Sequence, residues 1–200
     1  YDRNPKSPEV TLDGLETRLE RDREGVIANG FPADFQINAD NQTIRGRIFV
    51  FNKYNKNGNK VEPKSYGNGV LFCLNGQANG NLGTRFFYQG QKLKYQSIAN
   101  NILVMLDCTQ LENKYIEKVF KPDRERLDEN SYTKQIKDEL TEILTHHQGL
   151  KEFQVEWRKQ LILEKRENDQ KISEMMSNII LTNPSLANLL NFGGKISNPF

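Results

Sequence analysis

Apolar and polar positions alternate in short runs over the middle of the chain and recur at helical spacing towards its end. The runs 44–54, 70–74 and 102–107 are typical of β-strands, and the last two contain almost no polar residue. From residue 131 the period lengthens to that of an α-helix. Its apolar face consists of Ile136, Leu140, Ile143 and Leu144. The pattern predicts an α+β fold, with a small mixed sheet followed by an α-helical C-terminal extension.

The connection between the two most apolar runs predicts part of the topology. About 25 residues separate residues 70–74 from residues 102–107, enough for a helical crossover that joins two parallel strands. The string Asn75-Gly76-Gln77-Ala78-Asn79-Gly80-Asn81 opens this connection. A hairpin turn and a backbone cradle for a phosphate both fit it, and the turn is the simpler interpretation.

Three zones are expected along the chain. Residues 1–30 read as a polar leader or peripheral helix, residues 31–130 as the α+β domain and residues 131–200 as the helical extension. The first helix of the extension has Asn130 or Ser131 as its candidate N-cap.

Two further predictions concern the extension. Gly149 is the candidate terminator of its first helix. A second helix is expected from about residue 150, burying Phe153, Trp157 and Leu161. The stretch 164–171 is polar on every face, which fits either a solvated part of one helix or a break between two helices.

Composition restricts the function. Lys plus Arg number 28 against 26 Asp plus Glu, a net charge of +2, which leaves a nucleic-acid partner unsupported. No apolar run approaches the ~20 residues of a membrane span and no signal peptide is present, so we expect a cytoplasmic protein without a membrane partner. Cys73 and Cys108 lie in apolar runs and are expected to be buried thiols in a reducing compartment. The chain begins at Tyr1, and we expect it to belong to a larger protein.

Motifs for self-contained catalysis are missing. The sequence has no P-loop and no Ser at a nucleophile elbow. His146 and His147 are adjacent, so they point to different faces of a helix and cannot share one metal ion. We expect them to interact with a helix dipole instead, and no metal site is expected.

One cationic cluster remains, in the stretch "KVFKPDRERLDEN" at residues 118–130. Lys121, Arg124 and Arg126 place three cations within six residues, and Pro122 disfavours helical geometry at Lys121. This loop could reach an anionic phosphate. A solvated loop paired with its own carboxylates also fits, and charge count alone favours it.

The order strand, "NGQ", crossover, strand "ILVMLDC" and then "FKPDRERL" resembles the second, or transducer, domain of the GHKL ATPases, the gyrase B, heat-shock chaperone, histidine kinase and MutL types. It is most similar to bacterial ATPases with a chaperone-like N-terminal nucleotide fold, which have similar "NGQ" and "F-x-x-(S/D)-R-(D/E)-R" steps. The resemblance covers about residues 31–130.

In MutL relatives a strand leads into an Asn-Gly-Arg turn, and a later His-Pro-Ala-Lys loop brings a Lys to the γ-phosphate of ATP held in the preceding domain. Asn75 and Gly76 match that turn, and Gln77 replaces its Arg. Pro122 matches the loop proline, and Arg124 falls at the position of the Lys. The resemblance implies a transducer-like sheet in which Arg124 has the catalytic role.

The resemblance also implies cofactor contacts from Lys121, Arg126 and Gln77. ATP with Mg²⁺ would bind only through an N-terminal domain, because this chain lacks the Asn-bearing helix, the Asp-x-Gly motif and the lid glycines of that domain. The implied partners are an ATPase domain of the same protein and, through residues 131–200, a second subunit or another protein. The alternative is a non-catalytic protein interaction module without a nucleotide role.

Overall fold

The computed structural model describes residues 15–121 and 127–182. Its sheet has five strands in the order β1-β2-β5-β3-β4. They are β1 Ala33–Ala39, β2 Gln42–Val50, β3 Gly69–Leu74, β4 Gln77–Leu82 and β5 Ile102–Asp107. Neighbouring strands are antiparallel except for β3 and β5, which are parallel. The predicted mixed sheet, with its parallel pair, is confirmed.

Two helices precede the strands along the described chain and three follow them. They are α1 Leu15–Arg21, α2 Arg23–Val26, α3 Asn113–Val119, α4 Ser131–His146 and α5 Gln148–Thr182. The mixed sheet with these helices, including one at the C-terminal end, confirms the predicted α+β class. Residues 1–14 of the expected leader lie outside the described residues, and within α1 the side chain of Leu19 is buried.

The connection between β3 and β5 contains a strand as well as helical turns. After β3 the chain turns at Asn75 and Gly76, with φ angles of 52° and 76°. Two consecutive positive φ values match the tight hairpin turn whose twist suits antiparallel strands. The hairpin interpretation is therefore right for the first two residues of the string, and the rest belongs to β4. The crossover is completed by two 3-10 turns, Thr84–Phe87 and Ala99–Asn101, instead of an α-helix.

The two faces of the sheet differ in polarity because successive strand residues point to opposite sides. One face is apolar and fully buried through Ile37, Ile44, Ile48, Phe72, Val104 and Leu106. The other has polar and charged residues on β1 and β2, where Asp34 is opposite Arg47 and Gln36 is opposite Arg45. Helix α4 packs against β1 and buries Ile136, Leu140 and Leu144. On β1 the apolar-face residues Ile37 and Ala39 are buried whereas Asp34 and Gln36 are exposed, so α4 covers the apolar face.

A close approach between β1 and β2 requires a glycine. Phe35 of β1 is directly opposite Gly46 of β2, and a Cβ at Gly46 would lie 2.2 Å from the Cζ atom of Phe35. The aromatic ring therefore occupies the space that any side chain at position 46 would need.

Asn130 is the N-cap of α4, as predicted. Its side-chain Oδ1 accepts a hydrogen bond from the Thr133 N–H at 3.0 Å. The same residue donates through Nδ2 to the carbonyl of Lys118 in α3, and the Thr133 hydroxyl donates to that carbonyl at 3.2 Å. The start of α4 is thereby joined to the end of α3.

The predicted terminator of α4 is wrong. Helix α4 ends at His146 and α5 starts at Gln148, so Gly149 lies in the first turn of α5. The break is the single residue His147, with φ −68° and ψ 107°. Its ring stacks on Phe31, with 5.6 Å between the centroids. A tertiary contact therefore fixes the boundary where the local sequence favours the glycine.

The described chain divides into two compact units, one ending at Gln154 and the other beginning at Val155. Helix α5 runs without interruption through the polar stretch 164–171, so the alternative of two helices is wrong. Phe153 and Trp157 are half-buried, but Leu161 is 40% exposed, against the prediction that it is buried. None of the helices among the described residues has the length and apolar content needed to cross a membrane.

Candidate functional site

The sequence-predicted site residues fall on both sides of a gap in the description. Gln77 is the exposed first residue of β4, directly after the Asn75-Gly76 turn. Lys121 is half-buried and follows α3 by two residues. Arg124 and Arg126, together with Pro122, lie outside the described residues. Neither Gln77 nor Lys121 makes a side-chain hydrogen bond or an ion pair with another described residue.

The ends of the segment 121–126 are held together. Phe120 and Leu127 form an antiparallel bridge, and the Asp128 N–H donates to the Val119 carbonyl at 2.9 Å. The described residues on the two sides of the cationic loop are therefore joined to each other by backbone hydrogen bonds, although the cations beyond Lys121 are outside the description.

Leu127 also connects this base to the sheet. A Cβ at Gly80 would lie 2.7 Å from Cδ2 of Leu127, so the leucine side chain rests on the backbone of β4. Gly80 is three residues along the same strand from Gln77. The structure thus brings the loop base to the strand that begins with Gln77, without a hydrogen bond between the Gln77 and Lys121 side chains.

A groove of about 820 Å³ lies on the polar face of the sheet, where Leu15 and Thr17 of α1 also line it. Its floor includes the ends of the parallel strands β3 and β5, at Cys73 and Asp107, where ligands commonly bind in open sheets with parallel strands. Arg45 and Arg47 of β2 line it together with Gly76 of the hairpin turn. Its size is within the range of small-molecule pockets.

Hydrogen bonds fix the rim of the groove beside the hairpin turn. The hydroxyl of Thr109 accepts from the Asn75 N–H at 2.9 Å, and the Asp107 carboxylate accepts from the Thr109 N–H at 3.0 Å. The turn that precedes Gln77 is therefore attached to the end of β5. The turn is held there through its backbone, by the N–H group of Asn75.

The two arginines of the groove differ in their partners. Arg47 donates to Asp34 at 2.6 Å and lies 3.7 Å from Glu20 of α1. Arg45 is opposite Asp107 in the strand register, yet within the described residues no carboxylate lies at ion-pair distance from its guanidinium. Sequence reasoning missed Arg45, because one exposed arginine in an alternating strand matches no motif. Its alternation with the apolar residues Ile44 and Ile48 was the only sequence signal that Arg45 lies on the polar face of a strand.

The titratable groups near the sheet do not form an activated nucleophile. Cys73 and Cys108 are buried thiols, as predicted. Burial raises the pKa of the Cys108 thiol, so its reactive thiolate form is disfavoured. Burial lowers the pKa of His147, which keeps its ring neutral rather than placing a cation at the end of α4. No group of three or more His, Cys, Asp or Glu side chains in the described ranges is arranged to hold a metal ion.

No family model matches this chain, and no curated protein matches it either.

Proposed function

We propose that this chain is the transducer portion of a larger GHKL-type ATPase. In this proposal ATP with Mg²⁺ binds to a separate N-terminal domain, and the loop 121–126 responds to the nucleotide held there. The chain hydrolyses no ATP by itself. The observation that supports the proposal most directly is the closure of this loop by Phe120 and Leu127 beside β4.

The residues that flank the cationic loop, Phe120 and Leu127, are paired with each other beside β4. Arg124 is assigned the role of the phosphate sensor, because its planar guanidinium can donate two hydrogen bonds to phosphate oxygens. Lys121 and Arg126 add positive charge beside it, and Gln77 contacts the neighbouring nucleotide domain.

Hydrogen bonds offer a route from the loop base to α4. The bonds from Asn130 and Thr133 join α4 to the end of α3, immediately before the loop. At its other end, α4 accepts a hydrogen bond at the Leu144 carbonyl from the buried hydroxyl of Tyr95, at 2.9 Å. Movement of the loop base between two positions would therefore shift α4 against the sheet.

The test is single-turnover ATP hydrolysis by the protein that joins this chain to its nucleotide-binding domain. Loss of one charge contact at a transferring phosphoryl group commonly slows turnover about a hundredfold, so we expect that loss in Arg124→Ala, with an unchanged melting temperature. Lys121→Ala and Arg126→Ala remove the same charge from the same loop and are the matched controls, with smaller losses expected. If Lys121→Ala alone slows hydrolysis, the assignment is displaced by three residues.

The second candidate is a protein interaction module without a nucleotide role. It is favoured by the exposed apolar side chains of α5, which include Leu161, Ile172 and Met175. If all three loop variants hydrolyse ATP at the parent rate, the sensor role is excluded and this candidate replaces it.

A further inference from the structure

The charged side chains of the groove lie in two rows that cross the sheet. In the first row Asp34 of β1 is directly opposite Arg47 of β2. In the second row Arg45 of β2 is directly opposite Asp107 of β5. Arg45 and Arg47 are two residues apart in one strand, so both rows are on the same face of the sheet. Because the four formal charges cancel, net charge alone does not select an anionic or a cationic ligand.

The first row has its charges paired within the chain. Arg47 donates to the Asp34 carboxylate at 2.6 Å, and its guanidinium also lies 3.7 Å from the carboxylate of Glu20. Glu20 belongs to α1, so this row is joined to the helix whose residues Leu15 and Thr17 line the groove. A ligand would have to displace these contacts in order to bind either charge.

The second row offers its charges to a ligand. Directly opposite residues of antiparallel strands have Cβ atoms about 4.5–5.5 Å apart, so their side chains can contact one small molecule. Nevertheless, no described carboxylate lies within ion-pair distance of the Arg45 guanidinium. The Asp107 carboxylate accepts a hydrogen bond from the Thr109 N–H at 3.0 Å and forms no ion pair with a described residue. Both side chains are exposed, so an exposed cation and an exposed carboxylate lie side by side in the groove.

Apolar side chains adjoin this pair of charges. Cys73 of β3 is next to Asp107 in the strand register, and its thiol is buried. Met105 lies two residues before Asp107 on the same face of β5, and Leu15 of α1 also lines the groove. The side chains of Met105 and Leu15 are half-buried. Small-molecule sites typically combine such an apolar lining with a few polar groups that fix the orientation of the ligand.

The neighbouring cation and carboxylate favour a ligand that has both charges. The guanidinium of Arg45 can donate two parallel hydrogen bonds to a carboxylate, and the carboxylate of Asp107 can accept from an ammonium group. A purely anionic ligand would place its charge beside Asp107, and a purely cationic ligand would place its charge beside Arg45, which is unfavourable in each case. An α-amino acid has the two complementary charges on one carbon atom, so a single small molecule satisfies both side chains.

We propose that this groove binds a free α-amino acid with an apolar side chain. Its carboxylate contacts Arg45, its ammonium group contacts Asp107, and its side chain lies on Met105 and Leu15, which removes apolar surface from water. A volume of about 820 Å³ admits the largest amino-acid side chains, so charge and polarity select the ligand rather than size. The proposal is independent of the nucleotide role, because its residues are distinct from the loop 121–126.

Isothermal titration calorimetry of the full chain at low ionic strength tests the proposal, with L-leucine as the probe. We expect saturable binding with a dissociation constant below ~1 mM. L-Leucinamide lacks the carboxylate and N-acetyl-L-leucine lacks the ammonium group, so each analogue leaves one charge of the groove without a partner. Because hydrogen bonds between charged groups are the strongest, each analogue should bind at least about tenfold more weakly than L-leucine.

Variants of the two charged residues assign the two contacts. Arg45→Gln should bind L-leucine at least about tenfold more weakly than the parent and no longer distinguish it from L-leucinamide. Asp107→Asn should show the same loss and no longer distinguish L-leucine from N-acetyl-L-leucine. Arg85→Gln and Asp138→Asn are the matched controls, because they remove the same charges from exposed positions that do not line the groove. Circular dichroism checks that each variant remains folded.

Four results would each overturn the proposal. They are the absence of saturable L-leucine binding, equal affinity of the parent for the three probes, parental affinity in Arg45→Gln or Asp107→Asn, and an equal loss of affinity in the control variants. The comparison of the three probes uses the parent chain alone, so the test remains decisive even if a groove variant fails to fold.

Discussion

The junction between α4 and α5 should make the stability of this protein depend on pH through one histidine. The Nδ1 atom of His147 accepts a hydrogen bond from the Leu150 N–H at 3.2 Å, so the imidazole acts as the N-cap of α5. Its ring is half-buried against Phe31 and Gly149, and burial lowers its pKa. Protonation of Nδ1 would turn the acceptor into a donor that faces another donor.

The direction of the effect follows from the lowered pKa. The unfolded chain binds a proton at the ordinary histidine pKa of about 6.5, whereas the folded chain binds it only at lower pH. Stability should therefore be full above about pH 7, fall as the pH drops below about 6.5, and level off below the folded pKa. The loss should be on the order of 1 kcal/mol, the usual value of an N-cap hydrogen bond.

Other charged groups at this junction are few. On the last turn of α4, His146 is exposed and lies 3.8 Å from Glu142, and on α5 the nearest charge in sequence is Lys151. The segment 27–32, which includes Phe31, has no titratable side chain. His146→Asn therefore removes the neighbouring imidazole and leaves the cap in place.

Urea unfolding at about pH 8 and about pH 5 measures the effect. His147→Asn keeps an N-cap acceptor that does not titrate, so the difference between the two pH values should shrink by about 1 kcal/mol relative to the parent. The variant will also be less stable than the parent at about pH 8, because it loses the contact with Phe31. The role of the cap is therefore tested only by the difference in unfolding free energy between the two pH values. His146→Asn should keep the parental difference. Equal pH differences in the parent and His147→Asn would refute the role of the cap.

Three shorter predictions concern the core, the sheet and the nucleotide. Leu140→Ala should destabilise the protein by about 2 to 4 kcal/mol in urea, because this side chain of α4 is fully buried, whereas Leu161→Ala should cost less than ~0.5 kcal/mol, because Leu161 is 40% exposed. Gly46→Ala should cost about 1 to 3 kcal/mol by collision with Phe35, and Phe35→Ala in the same chain should recover part of that loss, measured as a double-mutant cycle. Calorimetry of the isolated chain should show no saturable ATP binding, and micromolar binding would contradict the assignment of nucleotide contacts to another domain.

The local sequence pattern was sufficient to predict those elements whose apolar runs or turn residues are unambiguous. The apolar runs that became β3 and β5 are buried on nearly every residue, as strands in the centre of a sheet must be. The Asn75-Gly76 turn and the Asn130 cap were predictable because each depends on the backbone preference of one or two residues. These features fix the sheet and the start of α4.

Elements that depend on distant partners were not predictable. The residues of β4, "QANGNL", have poor strand propensity and read as a turn, but the preceding hairpin sets them in register beside β3. The end of α4 depends on the contact between His147 and Phe31, more than a hundred residues apart. Leu161 looked like a core position because helical spacing does not tell whether the apolar side meets this chain or another one.

The same limit applies to the candidate site. The approach of Leu127 to Gly80 joins the loop base to β4 across 47 positions of the chain, and no local pattern encodes it. Arg45 became visible only when the fold placed it on an open groove. The resemblance pointed to Gln77 and Lys121, and the structure shows how the strand and the loop base that bear them come together.

The two buried thiols provide an internal reporter of local opening. Cys73 lies beside Asp107 in the floor of the groove, whereas Cys108 lies near Tyr132 of α4. A thiol reagent can modify each only when its surroundings open, so the labelling rate of each cysteine measures how often that side of the sheet becomes accessible. A partner that tightens α4 on the sheet would slow the labelling of Cys108 selectively, and a groove ligand would slow that of Cys73. The labelling rates of the two native cysteines can thus show which face of the sheet a partner has engaged.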